Sequence, residues 1–136
     1  MSVRIDVRYE GDLHTVATHG PSGAKLETDA PKDNEGRGER FSPTDLLATA
    51  TGTCMLTVMG ILARRKGWNM DGARVSVDKD IVADPVRRIG RLVLRFEMPA
   101  GIPADAHPLL ERAAHTCPVH KSLHPDVEVE TTFAWS

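Results

Sequence analysis

Cys117 stands directly before Pro118 in the stretch "HTCPVHKSL", and it is one of only two cysteines in the chain. The other, Cys54, lies in "TGTCMLT" among small and hydroxylic residues. A thiolate is both a nucleophile and a metal ligand, so these positions could carry redox or metal chemistry, or simply fill a core. For Cys54 the plain alternative is a small core hydrophobe, stacked at helical spacing with Leu47, Ala50, Val58 and Ile61. Against that, the thin helix surface beside it leaves space for a ligand or another backbone. Pro118 begins a short helical turn with Cys117 as its N-cap. There, free N–H groups and the positive end of the helix dipole favour the thiolate and lower its pKa. His115, His120 and Lys121 add positive charge nearby. The plain alternative is that the proline starts a turn and the thiol fills a gap.

A zinc reading takes Cys117 with His120 and either His115 or His124. Cys-x-x-His is admissible spacing, but a structural zinc needs four ligands and no recognised second pair is present. His14, His19 and His107 each read singly as surface or satisfied residues. Arg37, Glu39 and Arg40 lead directly into Ser42. Such a charged stretch is ordinarily solvated; folded over Cys54, an arginine there would stabilise a thiolate and a neighbouring carboxylate would hold the arginine.

The elements that must position these groups follow from pattern. Val3, Ile5, Val7 and Tyr9 alternate with charge, "EGD" offers a turn, and "LHTVATH" and "AKLET" supply a second and a third strand. "DAPKDNEGRGERF" has no periodicity and reads as a long, potentially functional loop. Ser42-Pro43-Thr44-Asp45 opens the clearest helix: Ser42 as N-cap, Pro43 at the first position, Asp45 as the acid of a capping box. It should end near Gly67, and at 1.5 Å per residue it is roughly 36 Å long.

No charge occurs from Leu46 to Ala63. Four threonines and two glycines make the segment a poor membrane span, so it is expected to be buried on nearly all sides, wrapped by a sheet or packed on a second subunit. "ARVSVDKDIVA" and "RIGRLVLRFEM" read as paired strands. A shorter helix is expected over 105–114, and a strong final strand runs from Val127 to Trp135.

The chain has 136 residues, enough for one domain with a real core. Its 17 basic and 19 acidic side chains are interspersed, and aromatics make up 4%. That composition argues against a nucleic-acid surface, a membrane-binding face or a stacking platform. The N-terminus lacks the apolar region of a secretory signal, which points to the cytosol, where structural disulfides are improbable.

Taken together, "FSPTDLLATATGTCM" and "AAHTCPVHKSLHPDVEV" resemble the two signature segments of the OsmC/Ohr family of hydroperoxide-reducing proteins. With "ATHGPSG" and "GRGERFSP", the likeness is greatest to the less characterised OsmC-like branch. The resemblance implies one OsmC-like domain over 1–136, of mixed α/β (α+β) class, with antiparallel sheets wrapped around long central helices in an intertwined homodimer. It also implies that Cys54 is the peroxidatic thiol and Cys117 the resolving one, joined in a disulfide during turnover. The substrate would be an organic hydroperoxide, approached past Met55 and Met59, and the reductant a dithiol, often of lipoyl type. No metal or organic cofactor is implied.

Thr44 stands where the best-known members have a glutamate, and Asp45 follows one residue later, turned about 100 degrees around the helix. The Gly-Gly-Arg turn that carries the activating arginine in Ohr is missing. Arg37 or Arg40 is the substitute, with Glu39 as a partner. These departures keep open a reading from another class, a module for small-ligand binding, sulfur handling or sensing.

Overall fold

A computed structural model describes residues 1–136. The chain divides into two compact units, Met1–Leu46 and Leu47–Ser136.

In the first unit, strands β1 (Ile5–Gly11), β2 (His14–His19) and β3 (Lys25–Asp29) form an antiparallel meander in that order. Asp12 and Leu13 both adopt positive φ in the tight turn between β1 and β2, as a hairpin of this length demands. Val3, Ile5, Val7 and Tyr9 alternate as expected, yet all are more than half exposed in this chain. The loop after β3 is tied by backbone hydrogen bonds. Gly36 donates its N–H to Pro31 O at 2.9 Å, and Gly38 donates to Ala30 O at 3.1 Å. A Cβ on Gly36 would lie 1.8 Å from the Ala30 carbonyl oxygen, so only glycine fits that turn.

Helix α1 (Pro43–Lys66) starts in the first unit and continues into the second. Its capping box forms as read: Asp45 N–H donates to Ser42 Oγ at 3.0 Å, and Ser42 N–H donates to Asp45 Oδ2 at 2.9 Å. Ala48, Thr51, Gly52, Met55, Met59 and Ala63 are buried, a single stripe at three- and four-residue spacing. Burial on nearly all sides does not hold within this chain. One sheet can cover only one face of a helix, and Leu47 and Ile61 on other faces are 41% and 45% exposed.

The second sheet contains β4 (Arg74–Val82), β5 (Arg88–Met98) and β6 (Glu128–Trp135) in that order. Ile89, Leu92, Leu94, Phe96 and Met98 of β5 fill the core, with Phe96 stacked on Phe133 of β6 at 4.6 Å. Gly52 lets α1 settle against β4, since a Cβ there would meet Val77 Cγ2 at 3.0 Å and Val75 Cγ1 at 3.2 Å. The outward face is a ladder of ion pairs, including Arg91 with Asp80 at 2.9 Å and with Glu130 at 3.4 Å.

The mixed α+β class is as expected, but the sheets are not wholly antiparallel, because β6 runs parallel to β5. A parallel neighbour requires a long crossover. Here it carries a 3-10 turn at Ala104–Ala106 and the helices α2 (His107–Ala114) and α3 (Pro118–Ser122). Pro108 falls in the first turn of α2, where its missing N–H is harmless.

Candidate active site

The second unit brings the two cysteines together. Cys54 projects from the middle of α1, partly buried and packed against the core, while Cys117 is fully buried immediately before α3. The Cys54 thiol is near enough to Cys117 to help raise its pKa, although the sequence separates them widely. Both are free thiols in this structure.

Cys117 is the N-cap that the sequence predicts, with its sulfur accepting the His120 N–H at 3.2 Å. The expected lowering of its pKa is overturned. Burial pushes the thiol above its ordinary value, and the Cys54 thiol adds to the rise; the N–H groups of His120 and Val119 oppose them without prevailing. A five-residue helix offers a weak dipole, whereas desolvation of a fully enclosed sulfur is large. Cys117 is therefore held as a neutral thiol.

Around this pair, burial lowers the pKa of His120, and the positive charges of His115 and Lys121 lower it further. Its Nδ1 is buried without a hydrogen-bond partner. His115 Nε2 lies 3.2 Å from Thr131 Oγ1, and its ring is 5.8 Å from that of His120. No three His, Cys, Asp or Glu side chains are placed to hold a metal ion, so the zinc reading finds no ligand set. The expected approach for bulky peroxides past Met55 and Met59 is not open in this chain, where both are fully buried in the core. Their long apolar side chains fill the space between α1 and the sheet.

Arg37, Glu39 and Arg40 gather in the first unit around a cavity of about 280 Å³, shared with Glu10, Asp12, His14 and Asp29. Arg37 pairs with Asp12 at 2.9 Å, and Arg40 Nε with Glu27 Oε2 at 3.4 Å. Glu39 offers Arg40 its backbone carbonyl, at 3.3 Å, and its own N–H goes to the Asp29 carboxylate. Thr44 Oγ1 lies 3.1 Å from Ser42 Oγ, and Asp45 serves the helix cap described above. His14, expected to be a surface or satisfied residue, is satisfied by Asp29, and the two form a largely enclosed ion pair: Nδ1 to Oδ1 at 2.6 Å. The signal for it was strand register, since His14 directly opposes Asp29 across β2 and β3.

The chain as a whole has relatives. A protein of Psychrobacter arcticus, provisionally named an osmotic stress induced and detoxification response protein, is 41% identical, with a TM-score of 0.91 covering 96% of this chain and 94% of that one. An organic hydroperoxide resistance protein OsmC of Legionella pneumophila shares the fold at 15% identity, with a TM-score of 0.79 over 98% of this chain and 97% of its own. The uncharacterized protein YmaD of Bacillus subtilis (strain 168) is 21% identical over 133 residues, 93% of this chain and 89% of that protein. The sequence profile described as OsmC-like protein matches residues 36–132, which include both cysteines, and the chain therefore belongs to the OsmC-like family.

Proposed function

We propose that this protein is a cysteine-based peroxidase that reduces organic hydroperoxides. The observation that carries the reading is the closeness of Cys54, partly open on α1, to the buried Cys117, whose pKa it helps to raise. Cys54, the more accessible of the two, attacks as the thiolate. Its sulfur takes the outer oxygen of the peroxide, the O–O bond breaks, and the alkoxide leaves as the alcohol after gaining a proton. The Cys54 sulfenic acid then condenses with the Cys117 thiol, forming a disulfide and releasing water. An external dithiol restores both thiols by exchange and is itself oxidised to a disulfide. The sum is peroxide plus dithiol giving alcohol, water and oxidised dithiol.

Arg37, with Arg40 as the substitute, is assigned to stabilise the Cys54 thiolate with Glu39 as its partner, and Asp45 plays a supporting part. The working form is a homodimer in a reducing compartment such as the cytosol. The open apolar residues Leu47 and Ile61 on α1 and the exposed alternation on β1 support a second copy as their cover. The name of the Legionella pneumophila protein supports the substrate class.

Turnover of cumene hydroperoxide with a dithiol reductant tests the reading. Wild type should consume peroxide catalytically and Cys54→Ser should not; equal consumption by both would sink it.

A second reading, a ligand-binding or sulfur-handling module, is favoured by one observation: both arginines already hold carboxylate partners, Asp12 and Glu27. It expects slow reaction with peroxide and a small molecule retained through native mass spectrometry. A bare protein mass would count against it.

A further inference from the structure

One histidine in the first unit collects charge from both neighbouring strands. His14 opens β2, and its Nδ1 lies 2.6 Å from Asp29 Oδ1 on β3. Its Nε2 faces Glu27 Oε1 on β3 at 3.3 Å and Glu10 Oε1 at the end of β1 at 3.9 Å. Register explains the convergence. His14 opposes Asp29 directly, and Glu27, two residues back along β3, shares the Asp29 face.

The acceptors in turn hold the segment that carries the arginines. The Asp29 side chain is 4% exposed, and a carboxylate so enclosed needs partners; it has His14 and the Glu39 N–H. The other oxygen of Glu27 takes Arg40 Nε at 3.4 Å. The Asp29 N–H donates to Phe41 O at 3.2 Å. Two further charges border the group: Arg8 pairs with Glu10 at 3.5 Å, and Arg37, paired with Asp12, adds its positive field to Asp29. The path from His14 to Glu39 and Arg40 therefore runs through one carboxylate each, Asp29 and Glu27.

The imidazole's proton count decides whether this set is self-consistent. An imidazolium donates from both nitrogens, one bond to Asp29 and one towards Glu27. A neutral ring keeps a single N–H. With that proton on Nδ1 for Asp29, the Nε2 lone pair faces Glu27 and Glu10, acceptor against acceptor. In keeping with this, the Asp29 hydrogen bond foremost, and then Glu27, hold the His14 pKa above its ordinary 6.5 against the opposing effect of burial.

We propose that His14 is a positioning residue whose imidazolium, through Asp29 and Glu27, fixes the Glu39–Arg40 segment, and whose deprotonation loosens it. Its catalytic consequence rests on the peroxidase reading, in which an arginine of this segment supports the Cys54 thiolate. The two ideas separate experimentally.

The first measurement is an NMR pH titration that follows the His14 ring and the Glu39 and Arg40 amides. In wild type all three should move with one midpoint, above 6.5. In Asp29→Asn that midpoint should fall, and in His14→Gln the amide titration should vanish. Amides that ignore the His14 midpoint overturn the proposal, and Asp29→Asn keeps the test alive if His14→Gln does not fold.

The second is the ratio of wild-type to His14→Gln kcat/KM with cumene hydroperoxide. It should be several-fold below the midpoint and fall towards one above it. A constant ratio beside coupled amides upholds the positioning role and removes Arg40 from the chemistry. Absence of any turnover defeats the peroxidase reading, while the amides still decide the role of His14.

Discussion

The His120 N–H donates to the Cys117 sulfur at 3.2 Å, yet the thiol is held above its ordinary pKa because enclosure outweighs that single bond. Alkylation should therefore discriminate. Iodoacetamide near neutral pH is expected to modify Cys54 first, with Cys117 slower by about tenfold or more, since burial both shields the Cys117 sulfur and raises its pKa. Peptide mapping of singly modified protein reads the order, and a Cys117 adduct appearing first would contradict the enclosed thiol described here.

Oxidation should depend on both sulfurs. One equivalent of organic hydroperoxide is expected to remove both free thiols of wild type and leave the chain lighter by two hydrogens. Cys117→Ser should stop at a Cys54 sulfenic acid that dimedone traps. Cys54→Ser should keep its remaining thiol. Retention of both thiols by wild type would mean that contact does not lead to bond formation.

The packing of α1 on β4 depends on the missing side chain at Gly52. Gly52→Val would drive methyl groups into Val75 and Val77, already 3.0–3.2 Å from where a Cβ would stand. Such overpacking should lower stability by about 1–3 kcal/mol. Urea unfolding gives the value, and an unchanged midpoint would mean that the helix and sheet can part freely.

The His14–Asp29 contact predicts a pH signature in stability. The His14 pKa is raised on folding, so its contribution is complete below about 6.5 and is lost as pH rises through the folded value. The Asp29 pKa is lowered, so its contribution is present above about 3.8 and is lost as pH falls through the folded value. The Tm gap between wild type and His14→Gln should thus be widest between those limits and narrow on the alkaline side. A gap that grows with pH would show that His14 folds as the neutral ring.

The local elements were legible because each is written in nearest neighbours. Alternation marked β1, β5 and β6, and Ser42, Pro43 and Asp45 marked the start of α1 with its reciprocal cap. The pairing of Cys54 with Cys117 was legible only through family likeness, because no spacing rule joins a mid-helix residue to a crossover loop. The direction of β6 was not legible, since it depends on which way a crossover returns the chain. Nor was the Cys117 pKa: sequence showed the helix start but not the burial that overrides it. That His14 is satisfied follows its residue type, but the identity of its partner was not legible, because Asp29 meets it only through strand register. Met55 and Met59 were misplaced for a similar reason, as periodicity names a face without saying whether that face meets solvent, ligand or β-sheet.

The crossover that makes β6 a parallel neighbour also sets what a Cys54–Cys117 bond would enclose. Between the two sulfurs lie the second half of α1, the β4–β5 hairpin and α2, while β6 falls outside. Closing so long a covalent ring restricts the unfolded chain, by roughly 4 kcal/mol on loop-entropy grounds. Exposure to oxidant would then leave a calorimetric record: the oxidised form should melt higher than the reduced one, and a thermogram would serve as a gauge of the chain's redox history.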